Sequence, residues 1–259
     1  MNIYTDIESM PFINQAVVTL GTFDGVHKAH CAILKQVCTL AENIKGKSTV
    51  ISFASHPRKV IDPDFTLNIL STTKEKNNLL QQIGIENIVY IDFTASLAQT
   101  NYAEFVKLLT KKMEIKKIVL GYNHNFGKNK EGNINSLTEL IPEYGFDIVE
   151  IPQQIVNNIK ISSSNIRKAI KEGNFHLANS LLGYNYTIET VISSVNKDYI
   201  TLMPINKEKI LPEKGKYKVN IDNQTTLLEI NDDIYIKNEN MSVKNENEIK
   251  IQFIDDKNK

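Results

Sequence analysis

Gly21-Thr22-Phe23-Asp24-Gly25-Val26-His27-Lys28-Ala29-His30 is the stretch of this chain whose residue types can do chemistry together. Gly21 and Gly25 let the backbone turn tightly and approach a ligand closely. A helix that starts just after them points its free N–H groups at an anion. His27 and His30 are three apart, so they share one face of that helix's first turn and continue the stripe of Ile33, Leu34 and Val37. Two imidazoles in this setting can contact one phosphate. Helix capping or surface decoration also accounts for such a pair, and no third ligand lies close enough in sequence to argue for a metal.

Further along, Ser162, Ser163 and Ser164 stand directly before a helical pattern, and Arg167 one turn in can fork onto phosphate oxygens. A plain helix cap with a surface arginine is the other reading of that segment. Arg58 follows Pro57 beyond a strand end, where it can reach a cleft or simply occupy a turn. Asn123 and Asn125 lie in a loop after another strand; their amides can bind the polar edge of a ligand or stabilise the turn. Gly127 and Gly132 bracket Lys128 and Lys130 in a loop able to move or to cover a site.

These residues have to be positioned by a scaffold, and the pattern of the chain supplies one. Short β-branched runs at Ala16–Leu20, Thr49–Phe53, Asn87–Ile91, Lys117–Leu120 and Asp147–Ile151 are apolar enough to be strands buried on both faces. Helical patterns lie between them: 28–44, Thr73–Ile83 ended by Gly84, Tyr102–Met113 after a Thr100 cap, and Ile134–Tyr144 ended by Gly145. Such alternation predicts an α/β fold, a Rossmann-like parallel sheet with helices on both faces, which binds ligands beyond the carboxyl ends of its strands. Two short helices in 163–182 are expected to close a first domain, 1–184. Residues 185–259 then carry short alternating segments separated by Asn, Asp, Lys and Gly, the pattern of a small antiparallel β domain.

Composition narrows the classes of function. Lys plus Arg (30) equals Asp plus Glu (30), so the summed charge draws the chain neither to nucleic acid nor to an anionic membrane. Any anion site is local. Cys31 and Cys38 lie seven apart on one helix face and are expected to be unpaired small hydrophobes. With no apolar leader pattern in Met1–Pro11 and no long apolar run, the chain is expected to be soluble and cytoplasmic.

In wording the glycine turn resembles the bacterial bifunctional riboflavin kinase/FAD synthetases, whose adenylyltransferase half opens with a glycine, Phe-Asp-Gly-Val-His, a variable residue and Gly-His. Four later blocks agree in order: Phe53-Ala54-Ser55-His56-Pro57-Arg58, Gly121-Tyr122-Asn123-His124-Asn125-Phe126-Gly127, Ile161-Ser162-Ser163-Ser164-Asn165-Ile166-Arg167, and the Ala178–Gly183 stretch. Two positions depart. Ala29 stands where the family has glycine, and Ser164 replaces threonine.

The resemblance implies an enzyme that joins FMN to the AMP part of ATP, releasing FAD and pyrophosphate, with Mg²⁺ bridging phosphate oxygens. It implies that His27 and His30 stabilise the α-phosphate and that Arg167 with the serine turn holds the β,γ-phosphates. Gly21, Phe23, Asp24, Gly25, Arg58, Asn123, Ser162, Ser163 and Ser164 are then expected to line the nucleotide or flavin site, with no protein-built metal centre. The family's second domain is a riboflavin kinase barrel with a Gly-rich turn, a Pro-Thr-Ala-Asn segment and a catalytic Glu. Residues 185–259 show none of that wording, so a shrunken relative without kinase activity is expected. A non-catalytic flavin-nucleotide-binding paralogue and another nucleotidyltransferase of the superfamily are the competing readings.

Overall fold

Strands β1 (Asn2–Tyr4), β2 (Ile13–Leu20), β3 (Lys47–Phe53), β4 (Asn87–Ile91), β5 (Met113–Gly121) and β6 (Asp147–Ile151) form one sheet in the order β1-β4-β3-β2-β5-β6, every pairing parallel. This computed structural model describes residues 1–54, 60, 62, 68–238 and 248–255. Successive residues of β2 alternate between the two faces of the sheet. Val17 packs with Leu34, Val37 and Ala41 of helix α1 (Lys28–Asn43) and Leu80 of α2 (Thr73–Ile83). Ala16, Val18 and Leu20 pack on the other face with Phe105, Val106 and Leu109, which belong to α4 (Tyr102–Thr110), the helix after the short α3 (Ala95–Ala98). A strand covered on both sides needs the near-continuous apolar run that β2 has.

Several boundaries differ from the sequence expectation, each for a local reason. The cap of α4 is Asn101, whose Oδ1 accepts from the Glu104 N–H at 2.9 Å, and not Thr100. That helix stops at Thr110, and Met113 already belongs to β5, buried on the sheet. The expected helix over 134–144 is two, α5 (Ile134–Thr138) and α6 (Ile141–Tyr144), because Pro142 has no N–H to continue the first and fits the opening turn of the second.

The chain divides into two compact units, 1–67 with 73–154, and 68–72 with 155–259. In the second, a short hairpin of β7 (Ile155–Val156) and β8 (Ile159–Lys160) precedes α7 (Ser163–Lys171) and α8 (Phe175–Leu182). β9 (Thr187–Val195), β10 (Tyr199–Pro204), β11 (Gly215–Ile221), β12 (Gln224–Ile230), β13 (Ile234–Lys237) and β14 (Glu248–Phe253) close into an antiparallel barrel, β10-β13-β12-β11-β14-β9. Inward residues such as Ile188, Val219, Leu228, Ile236 and Ile251 are fully buried.

The helices α7 and α8, expected to close a domain at 184, fall in the barrel's unit. Phe175 of α8 stacks on Phe253 of β14, ring centroids 4.2 Å apart, and Asn179 accepts from the Tyr186 N–H while donating to the Phe253 carbonyl. Among the described residues no helix is long and apolar enough to cross a membrane. Cys31 and Cys38 are free and half-buried.

Candidate active site

From β2 the chain steps outward through β3 to β4, then returns to β5 on the other flank of β2. The strand order therefore switches direction between β2 and β5. In open α/β sheets the crevice at such a switch, beyond the strand ends, is where ligands bind. Its two lips are the loop Gly21–His27 after β2 and the loop Tyr122–Gly127 after β5.

The first lip is built by unusual backbone. Gly25 has φ 79°, Phe23 47° and Val26 36°. A β-branched residue in the left-handed region is costly and persists only where its surroundings hold it. Val26 is held by its N–H, which donates to the Phe23 carbonyl at 3.2 Å, and by burial of both side chains to 2% exposure or less. Phe23, expected to line the nucleotide or flavin site, packs its ring edge-on against His30 at 5.1 Å.

His27 is the N-cap of α1 and lies one residue before the helix, not within its first turn. Its Nδ1 accepts the His30 N–H at 3.3 Å. That bond fixes the imidazole, which stacks on the His30 ring with centroids 3.6 Å apart and planes 14° from parallel. His30 Nδ1 is buried without a hydrogen-bond partner. Burial holds the His30 pKa well below its ordinary value, and the nearby His27, Lys76 and His124 lower it further. The pair is thus stacked and preformed, with one ring nitrogen of His30 unoccupied.

Lys76 of α2 also reaches this lip. It is 8% exposed, and its Nζ donates to the Thr22 carbonyl at 3.0 Å and to Ser52 Oγ at 3.4 Å. The ammonium sits 5.4 Å from the centre of the Tyr90 ring. Burial lowers its pKa, and the Asp24 carboxylate acts in the opposite sense. Asp24, itself buried, is therefore the neighbour that keeps a cation in this place.

On the second lip, Asn123 takes φ 57° and is exposed, its carbonyl accepting from Asn125 Nδ2 at 2.8 Å. His124 follows it, its N–H closing a turn onto the Gly121 carbonyl at 3.0 Å. His124 Nε2 is buried without a hydrogen-bond partner, and burial pushes its pKa down to about 4.

Of the remaining expected residues, Ser162, Ser163, Ser164 and Arg167 belong to the second compact unit. Ser162 caps α7, its Oγ accepting the Asn165 N–H at 3.3 Å, while Ser163 is half-buried and Ser164 exposed. Arg167 Nε donates to the Asn68 carbonyl at 2.6 Å within the same unit. Arg58 falls outside the described residues. Lys76 and His124 were not singled out from sequence. Lys76 left one signal: it lies four before the buried Leu80, on the core stripe of α2, where an unpaired cation is not expected.

Residues 10–165 match the FAD synthetase family. The chain belongs to that family. Among its relatives, a bifunctional riboflavin kinase/FMN adenylyltransferase of Buchnera aphidicola (subsp. Acyrthosiphon pisum) is 31% identical over 228 residues, covering 85% of this chain and 73% of the relative. An FAD synthetase of Listeria monocytogenes is 30% identical over 218 residues, covering 82% and 86%. A crystal structure titled as a macrolide-efflux protein from Streptococcus pneumoniae superposes with TM-score 0.86 over 98% of this chain and 89% of its own. At 21% identity that likeness shows the fold alone. The matched family segment holds the turn Gly21–His30 and both lips of the crevice.

Proposed function

We propose that this chain is an FMN adenylyltransferase. A phosphate oxygen of FMN attacks the α-phosphorus of ATP in line, the bond from that phosphorus to the β-phosphate oxygen breaks, and FAD and pyrophosphate result. No covalent enzyme intermediate is needed, so the protein's part is positioning and stabilisation of developing charge. In this reading His27 and His30 face the α-phosphoryl group. The observation that carries it is His30 Nδ1, a buried nitrogen with no partner at the switch point of a sheet whose family makes FAD.

Gly21, Gly25 and Asp24 shape and charge the turn beneath the nucleotide. Ser162, Ser163, Ser164 and Arg167 keep the β,γ-phosphates by the motif they form, and Asn123 and Arg58 are the weaker parts of the same assignment. Because those serines belong to the reaction, the catalytic domain is proposed to run to residue 184, although the compact units divide after 154. Mg²⁺ would supply charge neutralisation on the triphosphate. Among the described residues no cluster of His, Cys, Asp or Glu could hold an ion by itself, and Mg²⁺ ordinarily takes few protein ligands beside phosphate oxygens. The ligands are thus ATP, FMN and FAD, with no nucleic-acid or membrane role. Two free thiols suit the cytoplasm.

The test is direct: purified protein with FMN, ATP and Mg²⁺, with FAD and pyrophosphate followed by chromatography. FAD accumulating well above the enzyme-free rate supports the reading. Absence of FAD, or transfer with CTP in preference to ATP, overturns it.

A further inference from the structure

The mechanism above leaves His124 unused. It sits on the second lip of the crevice, three residues beyond Gly121 at the end of β5, next to the strand that leads into His27 and His30. Its ring lies 6.2 Å from Phe126 at 32°, and its N–H is already spent on Gly121. Among the described residues two buried side-chain polar atoms lack a hydrogen-bond partner, and they are His124 Nε2 and His30 Nδ1. Buried polar atoms are nearly always partnered, so each such atom calls for a missing partner. Here one orphan stands on the second lip of the crevice and the other in the first turn of α1, directly after the first lip.

We propose that His124 is a further substrate contact, its Nε2–H donating to a phosphate oxygen of the nucleoside triphosphate alongside His30. The inference rests on the adenylyltransferase reading. An anion fits better than a base edge because the titratable groups that act on His30, namely His27, Lys76 and His124 itself, are all nitrogen donors or cations. As a neutral imidazole in the free protein, His124 offers one ring N–H without the cost of burying a charge.

Calorimetric titration with ATP, and separately with inorganic tripolyphosphate, would test this on the wild type, His124→Phe and His124→Gln. Phe keeps a ring against Phe126 and removes the nitrogen; Gln returns an N–H donor near the Nε2 position. Expected are a Kd for both ligands raised about ten-fold or more in the Phe variant, as for loss of a hydrogen bond to a charged group, and a Kd within about three-fold of wild type for Gln. Wild-type affinity in the Phe variant, or equal weakening in Phe and Gln, overturns the contact, the latter by showing a packing role. Tripolyphosphate binding that ignores the Phe change while ATP binding does not would also overturn the phosphate assignment. Wild-type protein that binds no ATP would remove this proposal together with the adenylyltransferase reading, whereas ATP binding without FAD formation leaves this one standing.

Discussion

The imidazole of His30 lies flat on that of His27, 3.6 Å between centroids, while the His30 backbone N–H donates to His27 Nδ1. One histidine is therefore a helix cap that orients the other. The two should respond differently to substitution. His30→Ala is expected to lower kcat on the order of 10²-fold with an unchanged melting temperature, as for removal of one donor aimed at transition-state charge. His27→Ala should lose activity and also stability, about 1 kcal/mol for the cap, whereas His27→Asn should restore the cap and the melting temperature without the activity. Steady-state kinetics beside thermal melts separate these outcomes; near-normal turnover of His30→Ala would reject its role.

Lys76, reaching in from α2, ties the Thr22 carbonyl to Ser52. Replacing it by Met keeps the stem and removes the ammonium that the Asp24 carboxylate favours, together with its two hydrogen bonds. The expected result is a destabilisation of roughly 1–3 kcal/mol, the cost of buried polar groups left unsatisfied, and a raised KM for ATP because the turn it braces carries His27. Chemical denaturation and initial-rate measurements check both. A fully stable, fully active Met variant would show that the turn holds itself.

Much of this architecture was legible in the sequence, and the misses have physical causes. The inner strands announced themselves because a strand buried on both faces must be almost wholly apolar, as Ala16–Leu20 is but for Thr19. β1 did not, since Asn2-Ile3-Tyr4 is too short for any periodicity and owes its existence to pairing with β4. The β7–β8 hairpin left a signal in Asn157-Asn158, both at positive φ, the residues a tight turn favours. At the site, spacing identified the histidine pair but not its stacking. Lys76 and His124 are distant in sequence from that pair, and only the β2–β5 adjacency and the packing of α2 bring them to it.

Acid should loosen the fold through the same buried rings. An unfolded histidine titrates near 6.5, while His124 in the folded chain titrates at about 4 and His30 well below its ordinary value. Between pH 6.5 and about 4 the unfolded chain binds protons that the folded chain refuses, so the stability present above pH 6.5 is lost as pH falls through this window. The slope is at most about 1.4 kcal/mol per pH unit for each ring. Melting temperatures from pH 7.5 to 5 should fall for the wild type and fall less for His124→Phe, whose curve lacks one of the two groups. Parallel curves would mean that His124 titrates normally.

Riboflavin with ATP and Mg²⁺ is expected to give no FMN, and the reason lies in the first hairpin of the barrel. A phosphate-binding turn needs backbone N–H groups that approach a ligand closely and have no other acceptor. Between β9 and β10 the chain reads Ser193-Ser194-Val195-Asn196-Lys197-Asp198-Tyr199, with no glycine to allow that approach. Three of its N–H groups are already used: those of Asp198 and Tyr199 both donate to Asn196 Oδ1, at 2.9 and 2.7 Å, and that of Asn196 donates to the Tyr199 carbonyl. Asn238 pins the same turn from β13's end by donating to the Asn196 carbonyl at 2.7 Å. A turn closed in this way on its own side chain and carbonyl, with no glycine, does not present the row of converging free N–H groups that a triphosphate needs, so chromatography of the riboflavin reaction should show starting material only, while the FMN reaction on the same protein yields FAD. FMN formed from riboflavin at an enzyme-dependent rate would mean that the barrel binds its nucleotide by a route this hairpin does not provide.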